Sequence, residues 1–196
     1  MSNDATLVLR QRHTYADPNL NPWKHLAMEL CPQTPIYQLI VDGAQMIGQI
    51  HGRVLEVGFG TGAQVILYHH LANWVTALEV DPQACAFAAI HWPLPHVEWV
   101  EGDICYLEEE DAFDTILCIE TLEHVEDPEK AIHNMGRALR PGGYCWISVP
   151  ASDSGNNSLH KWSWTPLDLE HDLMESFENV HLEMTSPLIL AECSYA

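Results

Sequence analysis

The chain has 196 residues, 47% of them hydrophobic, enough for one domain with a full core. Its formal charge is −20, with 28 acidic against eight basic residues. That balance excludes partners that must be met with rows of cations, namely DNA, RNA and anionic membranes; it suits either solubility alone or a neutral or cationic acceptor. No apolar run reaches the ~18 residues of a membrane span, and the N-terminal Met1-Ser2-Asn3-Asp4 lacks the basic and apolar regions of a secretory signal. A cytoplasmic protein is expected.

Residues 1 to about 22 carry few periodic apolar positions, and Asp17-Pro18 and Asn21-Pro22 read as turns. A short helix is expected over Trp23–Leu30 and a second over Ile36–Ile47, where apolar residues fall near helical spacing. Residues 1–50 are thus expected to form a helical cap, with 51–196 as the core of a single domain. Tyr15, Trp23 and Tyr37 either line a substrate pocket under that cap or pack on the sheet.

The stretch Arg53 to Gly62 organises the rest of the chain. Val54, Leu55 and Val57 read as a buried central strand. Gly58, Gly60 and Gly62 alternate with Phe59 and Thr61, a turn that lets backbone lie close against a ligand. A helix over Ala63–Leu71 would present its N–H groups to that turn. The spacing E-x-G-x-G-x-G is neither the G-x-G-x-x-G of dinucleotide sites nor a phosphate loop, because no Gly-Lys-Ser/Thr follows. Glu56, just before the first glycine, repels a pyrophosphate and attracts an ammonium group.

Trp74–Val80 reads as the second strand, with Glu79 near its end, whose carboxylate can accept two hydrogen bonds from a ribose diol. A 2′-phosphate would be repelled there. Asp81 is the expected N-cap of a helix with Pro82 at its first position, running to about His91 before Trp92-Pro93-Leu94-Pro95 breaks it. His96–Val100 reads as the third strand and leads into Glu101-Gly102-Asp103-Ile104; Glu108–Asp111 is a solvated acidic loop. Phe113–Ile119 is the fourth strand and Pro128–Leu139 a helix. Arg140-Pro141-Gly142-Gly143 should end that helix as a tight turn before a fifth strand over Tyr144–Val149. Residues 150–158 read as a mobile loop suited to a lid. Thr165-Pro166 opens a helix to about Ser176, and Glu178–Met184 and Leu188–Glu192 are the last two strands. The expected fold class is α/β: a Rossmann-like, seven-stranded, mostly parallel sheet with helices on both faces and the last strand antiparallel.

Six scattered cysteines form no C-x-x-C pair and are expected as buried free thiols. The twelve histidines show no metal-ligand spacing, and most are expected at the surface.

The glycine turn, the acidic ends of the second and third strands, and the segment Phe113-Asp114…Leu122-Glu123-His124-Val125…Leu139-Arg140-Pro141-Gly142-Gly143 together resemble class I S-adenosylmethionine (SAM)-dependent methyltransferases. The closest subgroup resemblance is to the ubiquinone-biosynthesis O-methyltransferases, over about Arg53 to Pro150. The resemblance implies SAM as cofactor and S-adenosylhomocysteine as product. It implies a cofactor site at Glu56, Gly58, Phe59, Gly60, Gly62, Glu79, Val80, Asp103, Ile104, Ile119 and Glu120. Asp103 would receive the adenine amine and the Ile104 N–H a ring nitrogen. The expected activity is methyl transfer to an oxygen of a small-molecule acceptor. N-methylation of a cationic amine and a non-catalytic SAM-binding module are the alternatives.

Transfer from a sulfonium asks the protein to align acceptor, methyl and sulfur and to exclude water. His124, just past the fourth strand, is either the catalytic base or a structural cap. No metal site is expected from spacing alone. The resemblance does offer Glu120, Glu123 and His124 as a candidate Mg²⁺ set, the alternative being a solvated acidic turn. Oligomeric state is not legible.

Overall fold

The computed structural model describes residues 49–151, 160–185 and 188–195. Most of the expected cap, with Tyr15, Trp23 and Tyr37, lies outside the described residues, as do Cys31 and most of the expected lid.

The described chain runs β1 (Arg53–Val57), α1 (Ala63–Tyr68), β2 (Trp74–Glu79), α2 (Pro82–His91), β3 (Val97–Glu101) and β4 (Phe113–Ile119). It continues with α3 (Pro128–Ala138), β5 (Leu139–Pro150), α4 (Pro166–Met174), β6 (Asn179–Thr185) and β7 (Leu188–Ser194). The strands form one seven-stranded sheet in the order β3-β2-β1-β4-β5-β7-β6. β1 to β5 are parallel, and β7 runs antiparallel to both β5 and β6. The chain steps outward from β1 to β3, then crosses back to place β4 on the other side of β1. The reversal opens a crevice at the carboxyl ends of β1 and β4, where open α/β sheets bind ligands.

Both sheet faces are covered, which explains the near-continuous apolar runs of the central strands. Leu55, Val57, Ile116, Cys118, Ile147 and Val149 point to one face and pack with Ala131, Ile132 and Met135 of α3 and Leu169 and Leu173 of α4. The alternate residues Val54, Leu117, Ile119 and Trp146 point to the other, with Val65 and Tyr68 of α1 and Ala84 and Ala88 of α2. Helix starts follow local chemistry. Asp81 Oδ1 accepts from Gln83 N at 2.8 Å, Asp127 Oδ1 accepts from Lys130 N at 3.0 Å, and Thr165 and Asp168 form a reciprocal capping box, each with proline at the first turn. Cys85, Cys105, Cys118, Cys145 and Cys193 are buried free thiols, as expected; burial pushes Cys105 up to about 11.

Two expectations are corrected. The helix expected over 63–71 is α only to Tyr68, and His69–Leu71 tightens into a 3-10 turn. That turn leads the chain to Asn73, whose N–H reaches Gly52 O at 2.7 Å to start β2. Arg140–Gly143 is not a separate turn but part of the 12-residue β5. Leu139 pairs with Phe113 and Tyr144 with Thr115, so the intervening residues bulge, with Gly142 at φ 77. The bulge is anchored by Arg140, which donates to Asp114 Oδ1 and Asp111 O, both at 2.9 Å. Burial opposes ionisation of Asp114, yet the Arg53 N–H and the Arg140 guanidinium hold its carboxyl below the usual range.

Candidate active site

β1 delivers the chain into the glycine turn, where Gly58, Gly60 and Gly62 have φ of 74, 55 and 82. These are left-handed conformations that glycine enters without cost and other residues resist. Gly58 N donates to Leu78 O at 2.8 Å and Gly62 N to Phe59 O at 2.8 Å, so the turn is tied to β2 and to itself. Two tryptophans support it from outside. Trp92 Nε1 donates to Thr61 O at 3.0 Å, Trp99 Nε1 donates to Trp92 O at 3.1 Å, and the Trp99 ring meets Phe59 edge-on at 4.9 Å between centroids. A Cβ on Gly62 would meet Trp99 at 2.9 Å. Nothing in the sequence marks these tryptophans as the turn's supports.

Glu56 sits one position from the core-facing Leu55 and Val57 and points to the opposite face, beneath α1. It is 1% exposed, and its Oε2 accepts from the Tyr68 hydroxyl at 2.7 Å. Burial raises Glu56 to about 8, with the Tyr68 bond pulling the other way. The carboxyl is therefore largely protonated at neutral pH in the absence of a nearby cation.

Glu79, half-buried at the end of β2, reaches across to the turn. Its Oε2 accepts from Gly60 N and its Oε1 from Asp81 N, both at 3.0 Å. Burial raises its pKa above the ordinary value, against the pull of those N–H groups. Each carboxylate oxygen keeps a second lone pair for a further donor. Val80 lies half-buried beside it. Asp103, also half-buried, caps a 3-10 turn over Ile104–Tyr106 by accepting from Cys105 N at 2.8 Å, and Ile104 is buried.

At the end of β4, Ile119 is buried and Glu120 is half-buried at φ 50, a left-handed position for a non-glycine residue. Glu120 N donates to Ser148 Oγ at 3.0 Å, and Ser148 Oγ lies 3.1 Å from Glu120 Oε1. Burial raises Glu120 to about 7. Glu123, 1% exposed, is pushed well up by burial and then by Glu120. His124 Nε2 stands 3.7 Å from Glu123 Oε1. The His124 ring meets the His160 ring edge-on at 4.9 Å.

His160 reaches that place because the chain after β5 is stitched to the turn after β4. Lys161 N donates to Glu123 O at 2.8 Å, and Trp162 Nε1 donates to Val125 O at 2.9 Å. The His124–His160 pair is one that sequence spacing does not show. His69 and His96, whose Nδ1 and Nε2 lie 3.0 Å apart, form another. Both pairs join residues far apart in sequence, where spacing carries no signal. Glu120 does not join the Glu123–His124–His160 group in the described residues; it is occupied by Ser148.

The donor set around the crevice fits a nucleoside that carries an amino group and no phosphate. Gly58, Gly60, Glu79, Val80, Asp103 and Glu120 are all half-buried, so their polar atoms remain reachable. Three basic side chains among the described residues are engaged away from the turn: Arg140 on Asp114, Arg137 on Leu107 O, and Lys161 on Glu126. A pyrophosphate would meet carboxylates in the crevice, whereas an ammonium and a ribose diol would find acceptors.

Comparison with known proteins agrees with this geometry. Residues 55–147 match the family described as "Methyltransferase domain". The chain is 30% identical over 133 residues to a ubiquinone biosynthesis O-methyltransferase of Paracidovorax citrulli, covering 65% of this chain and 56% of that protein. It is 34% identical over 111 residues to the same-named protein of Alkalilimnicola ehrlichii, covering 54% and 45%. The chain thus spans about half the length of the curated relatives it matches. A solved DhpI–SAM–HEP complex superposes with a TM-score of 0.69 at 20% identity over 92% of this chain and 98% of that one, a likeness of fold. Sheet order, glycine turn and the family match over residues 55–147 together support a class I SAM-dependent methyltransferase domain in this chain.

Proposed function

We propose that this chain transfers the methyl group of SAM to an oxygen of a small-molecule acceptor. The observation that carries the reading is that the glycine turn and the Glu120–His124 segment follow the carboxyl ends of the paired strands β1 and β4, with Thr121 where a Cβ on Gly58 would stand. The likeness to two ubiquinone biosynthesis O-methyltransferases supports oxygen as the acceptor atom. SAM supplies an electrophilic methyl on a sulfonium, so the chain's own work is binding, alignment, exclusion of water and removal of the acceptor's proton.

In this reading Gly58, Phe59, Gly60 and Gly62 shape the backbone cradle. Glu79 accepts from the ribose hydroxyls, with Val80 against the ribose. Asp103 and the Ile104 N–H take the adenine edge. Ile119 and Glu120 border the amino-acid end, and Glu56 provides negative charge from beneath the turn. Because Glu56 stands at about 8, it ionises as an ammonium group arrives. His124, 3.7 Å from Glu123, takes the acceptor's proton.

N-methylation of a cationic amine is the second reading, favoured by the −20 charge. Mass spectrometry with SAM bearing a deuterated methyl, across phenols, hydroxy acids and amines, separates the two. A labelled ether or ester supports the proposal, and a labelled amine supports the second reading. Binding of S-adenosylhomocysteine with no product from any acceptor favours a non-catalytic module. His124→Gln should lower turnover at least about ten-fold with unchanged S-adenosylhomocysteine affinity; equal turnover removes His124 from proton transfer.

A further inference from the structure

We propose that Tyr68 is a positioning residue for the cofactor: by donating to Glu56 it favours the carboxylate that meets the cofactor's ammonium group, and that meeting sends one proton from Glu56 to solvent. This rests on the assignment of Glu56 to the amino end of SAM.

The geometry is a buried acid with one neutral donor and no cation. α1 leaves the glycine turn at Ala63 and ends at Tyr68, whose hydroxyl reaches back to Glu56 Oε2 at 2.7 Å. Glu56 is 1% and Tyr68 4% exposed. Among the described residues no other donor meets the Glu56 carboxyl. Nor does any cation. Arg53 lies over Phe113, Lys130 over Tyr106, Arg137 on Leu107 O, Arg140 on Asp114 and Lys161 on Glu126, which accounts for the Lys and Arg of the described chain. A buried carboxylate with so little support is costly, so the missing charge is left to a ligand. Glu56 stands two residues before Gly58, the first left-handed residue of the cofactor turn.

The protons balance in one exchange. Without ligand, burial holds Glu56 at about 8, so near neutral pH its carboxyl is mostly neutral. When an ammonium group arrives, the carboxyl O–H bond breaks and its proton goes to solvent; the ammonium keeps its own three. The Tyr68 bond acts through Glu56 by favouring the charged form. Burial, and then the Glu56 charge, holds Tyr68 well above its ordinary value, so its hydroxyl remains a donor throughout. Few other titratable groups face Glu56. Its strand neighbours are Ala77 of β2 and Leu117 of β4. The Cys118 thiol, on the opposite sheet face, is pushed up by burial, then by Glu123 and Glu56, and stays neutral. Glu79 is held by Gly60 N and Asp81 N. Glu120, raised by burial to about 7, borders the same end of the cofactor in this reading, and a Glu56 variant separates the two.

Calorimetry of the whole chain with S-adenosylhomocysteine between about pH 6 and 8 tests this, with 5′-methylthioadenosine, which lacks the amino-acid end, for comparison. Affinity for S-adenosylhomocysteine should rise at least about ten-fold over that range, and affinity for 5′-methylthioadenosine should stay level. Runs at pH 7 in buffers of different ionisation enthalpy should show protons released with S-adenosylhomocysteine only, fewer by about one in Glu56→Gln. Tyr68→Phe keeps the packed ring and removes the donor. At pH 7 it should bind S-adenosylhomocysteine at least about five-fold more weakly, with the rise moved to higher pH and 5′-methylthioadenosine bound as before. That last result also shows the variant folded. A folded Tyr68→Phe with the parent's pH profile, or with both ligands weakened alike, overturns the role of Tyr68 and leaves Glu56 in place. In the unmutated chain, a level profile without proton release overturns the exchange itself. S-adenosylhomocysteine bound no more tightly than 5′-methylthioadenosine at pH 8 removes Glu56 from the amino end, and the role of Tyr68 with it.

Discussion

Replacing Gly58 by alanine tests whether the glycine turn is held as described. Two costs add. Gly58 sits at φ 74, where an L-residue loses ~1–2 kcal/mol. A Cβ there would meet Thr121 Cγ2 and Oγ1, both at 2.4 Å, distances that real contacts do not tolerate. Thr121 has to move, and its Oγ1 then gives up the bond it donates to Ile119 O at 3.0 Å, worth about 1 kcal/mol net. The sum is ~2–3 kcal/mol, which lowers Tm by ~4–12 °C in a domain of this size. Urea denaturation of four proteins measures it: the parent, Gly58→Ala, Thr121→Ala and the double variant. In the Thr121→Ala background the two 2.4 Å contacts are gone, leaving the backbone strain of ~1–2 kcal/mol and a tight 3.0 Å contact with Cβ, so the second substitution should cost less than in the parent. A Gly58→Ala protein within ~0.5 kcal/mol of the parent, or strictly additive costs, would mean that the turn is not pressed against Thr121 in this way.

The acidic crevice makes stability fall as pH rises. Burial holds Glu56 at about 8 against an ordinary 4.5, so the folded chain keeps a proton that the unfolded chain has released. The stabilisation from Glu56 is full below its unfolded value and is lost as pH rises through its folded one. The Tm of the ligand-free chain should therefore decline from about pH 4.5 to about 8 and level off above that, with a smaller decline in Glu56→Gln; a rise over that window contradicts the assignment. Glu79, Glu120 and Glu123 are shifted in the same direction. The capping box of α4 is a local test: Thr165→Ala removes the bond from Asp168 N to Thr165 Oγ1 and should cost about 1 kcal/mol in urea melts. No change would mean that the packing of Leu169 and Leu173 alone holds the helix.

Much of the fold is legible because it rests on local chemistry. β4 matches its expected bounds, and β1, β2 and β3 agree within a residue or so, because buried parallel strands bounded by glycine, proline and acidic caps leave a strong pattern. Asp81 and Thr165 are caps for the same reason. What escaped reading depends on pairing between distant residues. The bulge at Arg140–Gly143 looks like a turn until Leu139 is seen opposite Phe113 and Arg140 on Asp114. Tyr68 under Glu56, Ser148 on Glu120 and His160 beside His124 come together only when the sheet is assembled. The glycine spacing announces a ligand turn, but not that Glu79 already holds Gly60 and Asp81 from the neighbouring strand.

Whether the glycine turn and Glu79 hold SAM is decided by calorimetry with S-adenosylhomocysteine. One equivalent should bind with micromolar affinity, weakened at least about ten-fold in Glu79→Gln, and NAD should not bind. Absence of heat with S-adenosylhomocysteine at about 1 mM, or binding of NAD in its place, would contradict the assignment of this site.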